Sequence, residues 1–366
     1  MELVVRKNDL LRELQFFQGI VERKNTIPIL ANVLMEAEGS EVRLLATDLE
    51  VSLRSKCEAS VAHPGSLTLP AKKLFEIVKA LPDTEIRIEQ EGASVKLAAD
   101  RFESKMSTLP REDFPTLPEP QGNGVPIPRN ALREMIAKTQ FAITGEDTRY
   151  YLNGALIALK GKLMTMVATD GHRLALVNVD RDGTAPIDKH AIIPKKTLGE
   201  LSRLLLEGEG DVYYELGENH QFFDVSGRLL ISRINEGQFP AYERVIPKGN
   251  DKKIEFERDR LTSAVKRVAL LSNERSRAVK FEVSPGKVEI SSNSPEFGEA
   301  REQLIVDYNG PALQICFNEK YVTEFLNVVE TDSVELELKD EVSQAVMRPV
   351  SANGYDYTYV IMPMRL

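Results

Sequence analysis

The residues best placed to do chemistry in this chain form the run Asp170-Gly171-His172-Arg173. In a hydrolase, His172 would serve as the base together with Asp170 and Arg173. The sequence has no Gly-rich phosphate loop, no G-x-S-x-G motif and no Cys/His pairing that would support such a site. The four histidines are scattered, and no two have the spacing of metal ligands. We therefore expect no metal and no cofactor, while a hydrolase using Asp170 and His172 stays an alternative.

A long internal repeat indicates which elements carry this run. Residues 42–58 (VRLLATDLEVSLRSKCE) return as residues 163–180 (LMTMVATDGHRLALVNVD). Residues 66–82 return as 190–206 and, more loosely, as 312–330, at an offset of about 122–124 residues. This period is far longer than that of a solenoid repeat and close to the size of one domain. The chain therefore consists of three copies of one domain, and residues found in a single copy are candidates for function.

The boundaries between copies are expected where Pro, Gly and polar residues cluster, at 115–124 and 247–251. The predicted domains are 1–121, 122–249 and 250–366. Both linkers are short, so we expect neighbouring domains to pack together.

Each copy has the same predicted order of elements. A short alternating strand precedes a helix, and polar residues at the helix start predict side-chain caps: Asn8-Asp9, Asn130 and Arg258-Asp259. A second helix follows at 71–81, 195–206 and 318–329, and strands with period-two alternation surround both helices. Because no βαβ alternation is present, the predicted fold class is α+β, with two helices packed on antiparallel sheet in each domain.

The repeat also indicates the role of Asp170, the acidic residue of the run Asp170-Gly171-His172-Arg173. Asp170 belongs to Ala168-Thr169-Asp170, which matches Ala46-Thr47-Asp48 in the first copy. The third copy has Ser292-Asn293-Ser294 at the same place. A position that accepts Asp, Asn or Ser in equivalent turns is typical of an Asx turn, in which the side chain binds its own backbone. We therefore predict a structural turn at Asp170 rather than a general base.

The charge of the chain is unevenly distributed. The net charge of −9 argues against a nucleic-acid partner at first sight. The six predicted helix windows nevertheless hold 20 basic and 11 acidic residues, against 27 and 45 in the rest of the chain. One interpretation is only that Lys and Arg are good helix formers. The other is a basic helical face that contacts backbone phosphates without reading bases, because no base-reading motif or aromatic platform is present.

Composition and termini narrow the class of protein further. The only cysteines, Cys57 and Cys316, lie in different copies, which favours a reducing cytoplasm over a disulfide framework. The sequence shows no signal peptide and no membrane-spanning run. The last residues, 359–366 (YVIMPMRL), stay apolar to the end. Termini are usually polar and frayed, so this one either finishes a sheet or lines a groove.

Several motifs found once resemble the beta subunits of bacterial DNA polymerase III, the sliding clamps. They are RYYLNG (149–154), VATDGHRLA (167–175), FPAYERVIP (239–247), LLSNE (270–274) and VIMPMRL (360–366). The resemblance covers the whole length. It implies a head-to-tail homodimer in which three clamp-type domains per chain form half of a six-domain ring, with helices lining the hole. Such a ring does not catalyse; it encircles duplex DNA and gives the polymerase processivity.

The resemblance also implies site residues. One site is a groove that would bind short peptides containing Gln and Leu/Phe. These peptides would come from the polymerase catalytic subunit, clamp-loader subunits, other polymerases and repair proteins. The groove residues implied by the resemblance are Arg149, Leu152, Thr169, Gly171, His172, Arg173, Leu174, Pro240, Arg244, Val245, Val360, Met362, Pro363, Met364 and Arg365. Arg and His are expected at the rim of the groove. Sequence-independent contacts with double-stranded DNA would use Lys24, Lys72, Lys73, Tyr150, Tyr151, Lys195 and Lys196. Leu270 and Leu271 would lie at the dimer interface. A peptide-binding scaffold without DNA remains a further alternative.

Overall fold

The computed structural model describes residues 1–21, 27–145, 147–181 and 188–365. It contains six α-helices in these ranges, and all paired strands are antiparallel, as the α+β prediction requires. Within the described residues, each of the three repeats contributes two helices and eight or nine strands. None of the helices in the described ranges is both long and apolar enough to cross a membrane.

The first repeat contains nine strands and two helices. In chain order they are β1 (Glu2–Arg6), α1 (Lys7–Ile20), β2 (Asn32–Glu38), β3 (Glu41–Thr47), β4 (Val51–Glu58), β5 (Ser60–His63), β6 (Gly65–Pro70), α2 (Ala71–Ala80), β7 (Glu85–Glu91), β8 (Ser94–Ala99) and β9 (Phe102–Ser107).

The second and third repeats follow the same order; the place of β5 in the second repeat, at 182–187, lies outside the described residues, and the described residues of the third repeat have no counterpart of β5. The second has β10 (Val125–Ile127), α3 (Arg129–Thr139), β11 (Gly154–Lys160), β12 (Leu163–Thr169), β13 (Arg173–Asp180), β14 (Asp188–Pro194), α4 (Lys195–Leu204), β15 (Val212–Leu216), β16 (His220–Val225) and β17 (Arg228–Arg233). The third has β18 (Lys252–Glu257), α5 (Arg258–Ala269), β19 (Ala278–Ser284), β20 (Lys287–Ser294), β21 (Gly298–Ile305), β22 (Leu313–Asn318), α6 (Glu319–Val328), β23 (Ser333–Leu338), β24 (Ala345–Pro349) and β25 (Asp356–Ile361).

The repeats and the compact units of the chain are not the same. One unit comprises 1–130 and 196–234, and the other comprises 131–195 and 235–366. The second repeat is therefore shared, because α4 and β15–β17 belong mainly to the first unit whereas α3 and β11–β14 belong mainly to the second. The domain boundaries at 121 and 249 stay predictions.

The sheets explain this division. The first unit holds a five-stranded sheet, β5-β1-β7-β8-β9, and an eight-stranded sheet, β10-β15-β16-β17-β4-β3-β2-β6. The second holds an eight-stranded sheet, β14-β11-β12-β13-β25-β24-β23-β18, and a four-stranded sheet, β21-β20-β19-β22. Each eight-stranded sheet joins two repeats at one strand pair, β17 with β4 and β25 with β13. Strands β9 and β21 lie at sheet edges.

The first helix of each repeat begins earlier than predicted. Helix α1 begins at Lys7, directly after β1, and Arg6 at its N-cap makes no side-chain capping bond. The predicted caps Asn8-Asp9, Asn130 and Arg258-Asp259 all lie inside helices and were wrong. A carbonyl from a following loop replaces the side-chain cap, since the Lys7 amide donates to Thr84 O (2.9 Å) and the Arg258 amide to Asp332 O (2.8 Å). A pattern confined to the helix cannot indicate such a partner.

Candidate functional site

A pocket of about 150 Å³ lies in the second unit, where β13 pairs with β25. Its lining residues are Arg149, Tyr151, Leu152, Thr169, Gly171, His172, Arg173, Leu174, Pro240, Tyr242, Val245, Val360 and Met362. They come from four segments that are distant in sequence and belong to motifs found in one copy only. The structure therefore brings together the motifs 149–154, 167–175 and 239–247 and the start of the terminal segment.

The floor of the pocket is apolar because two strands present their outer faces to it. Val360 of β25 lies opposite Leu174 of β13, and each is 1% exposed. Both belong to a cluster that also contains Leu156, Val167, Leu176 and Val346. Phe239, Tyr242 and Ile246 of the segment after the second repeat pack against this cluster. An apolar concavity with a few polar groups at its edge is the usual form of a ligand site.

One wall is the turn that begins at Asp170. The Asp170 Oδ1 accepts hydrogen bonds from the amides of His172 (2.9 Å) and Arg173 (3.0 Å). Asp48 in the first repeat accepts from the amides of Glu50 (2.9 Å) and Val51 (2.6 Å) in the same way. The predicted Asx turn is confirmed. The carboxylate of Asp170 is thus used to hold the backbone and is not positioned as the partner of a catalytic base.

The conformation of this turn also favours glycine. Gly171 has φ +87°, and a Cβ at this position would lie 3.8 Å from the Arg149 guanidinium. The matching residue of the first repeat, Leu49, adopts φ +78° and is exposed. The left-handed conformation disfavours residues with a Cβ, so Gly171 relieves backbone strain in this turn.

Arg173 does not lie at the rim of the pocket, contrary to the expectation for Arg. It is only 8% exposed. Its guanidinium is bound to Asp170 (Nε to Oδ2, 3.1 Å), to the carboxylate of Glu324 and to the carbonyl oxygen of Phe141 (2.6 Å). These bonds use Arg173 to join β13 to α6 beneath the pocket. A sequence motif cannot distinguish such a buried arginine from an exposed one.

Arg149 and His172 are exposed and match the expectation for the rim. The Arg149 guanidinium is bound to both carboxylate oxygens of Asp147, at 3.0 and 2.7 Å. The side-chain hydrogen bond from Arg149 lowers the pKa of Asp147 to about 2, so the pair is charged at neutral pH. The paired carboxylate holds Arg149 at the edge of the pocket, where it can donate to a polar group of a ligand.

The C-terminal segment continues past β25 and is tied at two points. The Met362 amide donates to His172 O (2.9 Å), and the Met364 amide donates to Cys316 O of β22 (2.8 Å). Met362 is 39% exposed and lines the pocket, whereas Pro363 and Met364 are half-buried. The tail is therefore more than the end of the last strand, and it contributes an adaptable thioether to the pocket.

Eleven of the predicted groove residues line the pocket. The remaining four are outside its lining: Arg244, Pro363, Met364 and Arg365. Two lining residues were not predicted for the groove. Tyr151 is instead among the predicted DNA contacts, and Tyr242 belongs to the motif FPAYERVIP but is not a predicted site residue. The aromatic residue in a motif found in one copy was the signal for Tyr242.

The first unit shows why the matching junction is less apolar. In its eight-stranded sheet, β17 pairs with β4 as β25 pairs with β13, and Ile231 lies opposite Ser52. Ser52 replaces Leu174 of the second repeat, and its hydroxyl donates to Thr47 (2.7 Å). Arg233 follows at the place of Met362 and pairs with Glu50 (3.6 Å). Polar side chains thus replace the apolar ones that form the pocket in the second unit.

The residues predicted to contact DNA are found in different environments. Lys72 and Lys73 are exposed and pair with Glu76, at 3.9 and 2.8 Å. Tyr150 is 72% exposed. Lys195 is exposed and donates to the carbonyl oxygens of Ile143 (3.3 Å) and Thr144 (3.4 Å). Lys24 lies outside the described residues.

Lys196 differs from the other predicted lysines. Its ammonium group binds the carboxylate of Asp48, the acidic residue of the first-repeat turn, and the carbonyl oxygen of Ile20 (3.4 Å). The Asp48 side chain is only 4% exposed. This internal contact makes Lys196 less available to a phosphate than the exposed Lys195, because the charge of Lys196 is already neutralised.

Acidic residues of the helices are largely neutralised within the protein. Glu13 of α1 binds Arg228, Glu200 of α4 binds Arg203 (2.8 Å), and Glu324 of α6 binds Arg173. Glu319 of α6 lies 3.4 Å from Arg277. Two of these partners, Arg228 and Arg173, lie on strands, whereas Lys79 and Arg133 are exposed on the helices.

Comparison with known proteins settles the family. Family models of the DNA polymerase III beta subunit match the chain with their N-terminal domain at residues 1–118, their central domain at 126–241 and their C-terminal domain at 243–365. The chain belongs to the DNA polymerase III beta subunits, the sliding clamps. It is 40% identical to the beta sliding clamp of Pseudomonas aeruginosa and 36% identical to that of Escherichia coli, each over 100% of both chains.

Solved structures agree with this assignment. A Pseudomonas aeruginosa sliding clamp bound to griselimycin superposes with a TM-score of 0.95 at 40% identity, and a Caulobacter crescentus clamp with 0.94 at 35%, each covering 100% of both chains. The chain is thus a sliding clamp of DNA polymerase III, a non-catalytic processivity factor in DNA replication. The alternative of a hydrolase at Asp170 and His172 was wrong.

Proposed function

We propose that the pocket of the second unit binds short peptide segments of the polymerase and of other DNA-processing partners. The apolar floor formed by Leu174 and Val360 suits a Leu or Phe anchor, and the exposed Arg149 and His172 suit a few polar contacts at the rim. The observation that carries the proposal is that motifs found in one copy only converge on this apolar cavity.

Deletion of residues 362–366 tests this pocket. We expect the shortened chain to fold and dimerise but to lose binding of a fluorescein-labelled synthetic peptide that begins with Gln and ends in Leu-Phe, measured by anisotropy. Val342→Ala is the matched control, because Val342 is 69% exposed in the same unit and does not line the pocket. Unfolding of the shortened chain would favour a plain final strand, and unchanged binding would contradict the proposal.

The same chain is proposed to form a head-to-tail homodimer that closes around duplex DNA. The way in which the repeats pair their strands within one chain supports this dimer. The last strand of a repeat pairs with the fourth strand of the preceding repeat, β17 with β4 and β25 with β13. The rule leaves β9, the last strand of the first repeat, and β21, the fourth strand of the third repeat, at sheet edges. Pairing β9 of one copy with β21 of a second copy continues the pattern and closes a ring.

The rule also fixes a register for this contact. Ile231 lies opposite Ser52, and Leu229 lies opposite Arg54. On β9, Lys105 and Glu103 correspond to Ile231 and Leu229 of β17. On β21, Glu299 and Arg301 correspond to Ser52 and Arg54 of β4. The same register therefore predicts Lys105 opposite Glu299 and Glu103 opposite Arg301 of the second copy. Both pairs have opposite charges, which stabilise neighbouring strands by about 0.2–1 kcal/mol each.

Exposed apolar residues accompany these edges. Phe102 on β9 is 40% exposed, Ile305 on β21 is 76% exposed, and Leu270 at the end of α5 is 78% exposed. Leu271 beside it is half-buried. Large apolar side chains gathered at unpaired strands are typical of an interface. They support the assignment of Leu270 and Leu271 to the dimer contact.

A charge swap tests the register. We expect Lys105→Glu to weaken dimerisation about two- to thirtyfold in sedimentation equilibrium, because it creates like-charge pairs at both contacts of the ring. Adding Glu299→Lys to the same chain should restore the dimer. Lys56→Glu is the control, since Lys56 is exposed on β4, which is paired on both sides. A double variant no tighter than the single variant would contradict the register.

DNA binding in this proposal is topological and needs only weak contacts with phosphates. Lys72, Lys73, Lys195 and Tyr150 are exposed and remain the proposed contacts, whereas a scaffold without DNA is the alternative. We expect the loaded ring to dissociate slowly from circular DNA and quickly from linear DNA. Equal dissociation from both would argue against encirclement.

We further propose domains at 1–121, 122–249 and 250–366. We also propose a cytoplasmic location, which the role in replication and the two free cysteines support.

A further inference from the structure

The buried arginine beneath the pocket connects two elements that the groove motifs do not relate. Arg173 is the first residue of β13, and Glu324 lies on α6 of the next repeat. The Arg173 guanidinium lies over the rings of Tyr321 (4.3 Å from Cζ to the centroid) and Phe141 (5.3 Å). Its side chain is 7% exposed and that of Glu324 is 26% exposed. The ion pair is therefore largely removed from water. Away from water such a contact is stronger, and removing one partner is more costly.

A continuous set of hydrogen bonds runs from this ion pair to the pocket wall. Arg173 binds Asp170 through Nε (3.1 Å), and Asp170 binds the amides of His172 and Arg173. The carbonyl of His172 in turn accepts from the Met362 amide (2.9 Å). Glu324 is outside the lining of the pocket, yet it is connected through two residues to the turn and the tail that form the lining.

We infer that Glu324 is a positioning residue for the partner pocket. Glu324 holds the Arg173 side chain, so that Asp170 can fix the backbone of the turn. This turn accepts the hydrogen bond from the Met362 amide of the C-terminal segment. The inference rests on the proposed peptide function of this pocket. Without the Glu324 carboxylate, Arg173 keeps Asp170 as its remaining carboxylate partner among the contacts described. The guanidinium is then drawn toward Asp170, and the carboxylate that orders the turn moves with it. The wall of the pocket shifts although no residue in contact with the peptide has changed.

Glu324→Ala and Glu324→Gln separate charge from hydrogen bonding. The Gln side chain keeps an acceptor oxygen for Arg173 but has no charge, so it should retain part of the positioning. Glu319→Gln is the matched control, because Glu319 lies on the same helix and its carboxylate pairs with the exposed Arg277 (3.4 Å). Binding of the fluorescein-labelled peptide is measured on the full chain, together with the ¹³C-methyl NMR signal of Met362.

We expect Glu324→Ala to weaken peptide binding about three- to thirtyfold, Glu324→Gln to weaken it less, and the control to stay within about twofold. The Met362 methyl signal should move in both Glu324 variants and not in the control. Peptide affinity of Glu324→Ala within about twofold of the unmodified chain would overturn the inference.

Two further outcomes are also decisive. If Glu324→Ala does not fold, as judged by circular dichroism, Glu324→Gln decides: unchanged affinity and an unchanged Met362 signal overturn the inference. If the unmodified chain does not bind the peptide, the proposed function fails. The Met362 signal then decides on positioning alone, because a shift confined to the Glu324 variants supports it and no shift refutes it.

Discussion

The buried ion pair between Glu13 and Arg228 joins the first and second repeats within the first unit, and its removal tests what holds that unit together. Glu13 of α1 is 2% exposed, and both its carboxylate oxygens accept from Arg228, at 2.8 and 2.7 Å. The hydrogen bond to Glu13 raises the pKa of Arg228. The Arg228 guanidinium also lies 4.6 Å from the centre of the Phe16 ring.

Breaking this pair from one side leaves a buried charge, which typically costs about 3–5 kcal/mol. Secondary partners reduce that cost here. Arg228 retains Glu207 at 3.5 Å after Glu13→Leu, and Glu13 retains the exposed Arg12 at 3.3 Å after Arg228→Met. We therefore expect each single variant to lose about 3 kcal/mol, the lower end of the range. The double variant replaces both charges by apolar groups and should lie within about 1 kcal/mol of the unmodified chain.

Hydrogen exchange followed by mass spectrometry measures this loss locally. A loss of about 3 kcal/mol should speed exchange about 150-fold in protected segments of the first unit, such as β4 and β17. Segments of the second unit serve as an internal control and should change little. The exposed pair Lys73 and Glu76 gives a matched variant, Glu76→Gln, with little expected effect. Single variants that cost less than about 1 kcal/mol, or a double variant as unstable as the singles, would refute the reasoning.

Four other predictions concern local packing and ionisation. A Cβ at Gly19 would lie 2.1 Å from a Glu200 carboxylate oxygen and 2.3 Å from the Arg203 guanidinium, so Gly19→Ala must displace this ion pair and should stabilise less than Gly199→Ala. Gly199→Ala, where a Cβ meets nothing within 4 Å inside α4, should stabilise by about 1 kcal/mol; thermal melting checks both. Burial raises the pKa of Cys57 to about 12, so iodoacetamide at pH 8 should leave it unmodified until the chain is denatured. The ion pair of Asp147 should persist below pH 3.8 and be lost as pH falls through about 2, which carboxyl NMR titration can follow; a midpoint near 4 would contradict it.

Local signals in the sequence determined a large part of this structure. The repeat predicted three copies of one α+β unit, because each copy must preserve the same apolar positions to fold. The Asx turn at Asp170 was predictable because its hydrogen bonds span only three residues. The groove motifs were found because they occur in one copy only. All of these are properties that neighbouring residues or repeated residues carry by themselves.

The tertiary structure decided features whose partners are distant in sequence. The start of α1 depends on Thr84 O, the burial of Arg173 depends on Glu324, and the availability of Lys196 depends on Asp48. Each partner lies tens to more than a hundred residues away, so no local pattern shows it.

The division into two units likewise follows from strand pairing between repeats rather than from the repeats themselves. The third repeat shows the same dependence in its sheet face. Leu156 and Val167, which are paired in the second repeat, are covered by Phe239 and its neighbours. Their counterparts Lys280 and Ser291, paired in the same way, line an open polar cleft instead. The sequence shows that these positions are apolar in the second repeat and polar in the third. Only the structure shows the reason: the segment after the second repeat covers this sheet face there, whereas the same face of the third repeat is open.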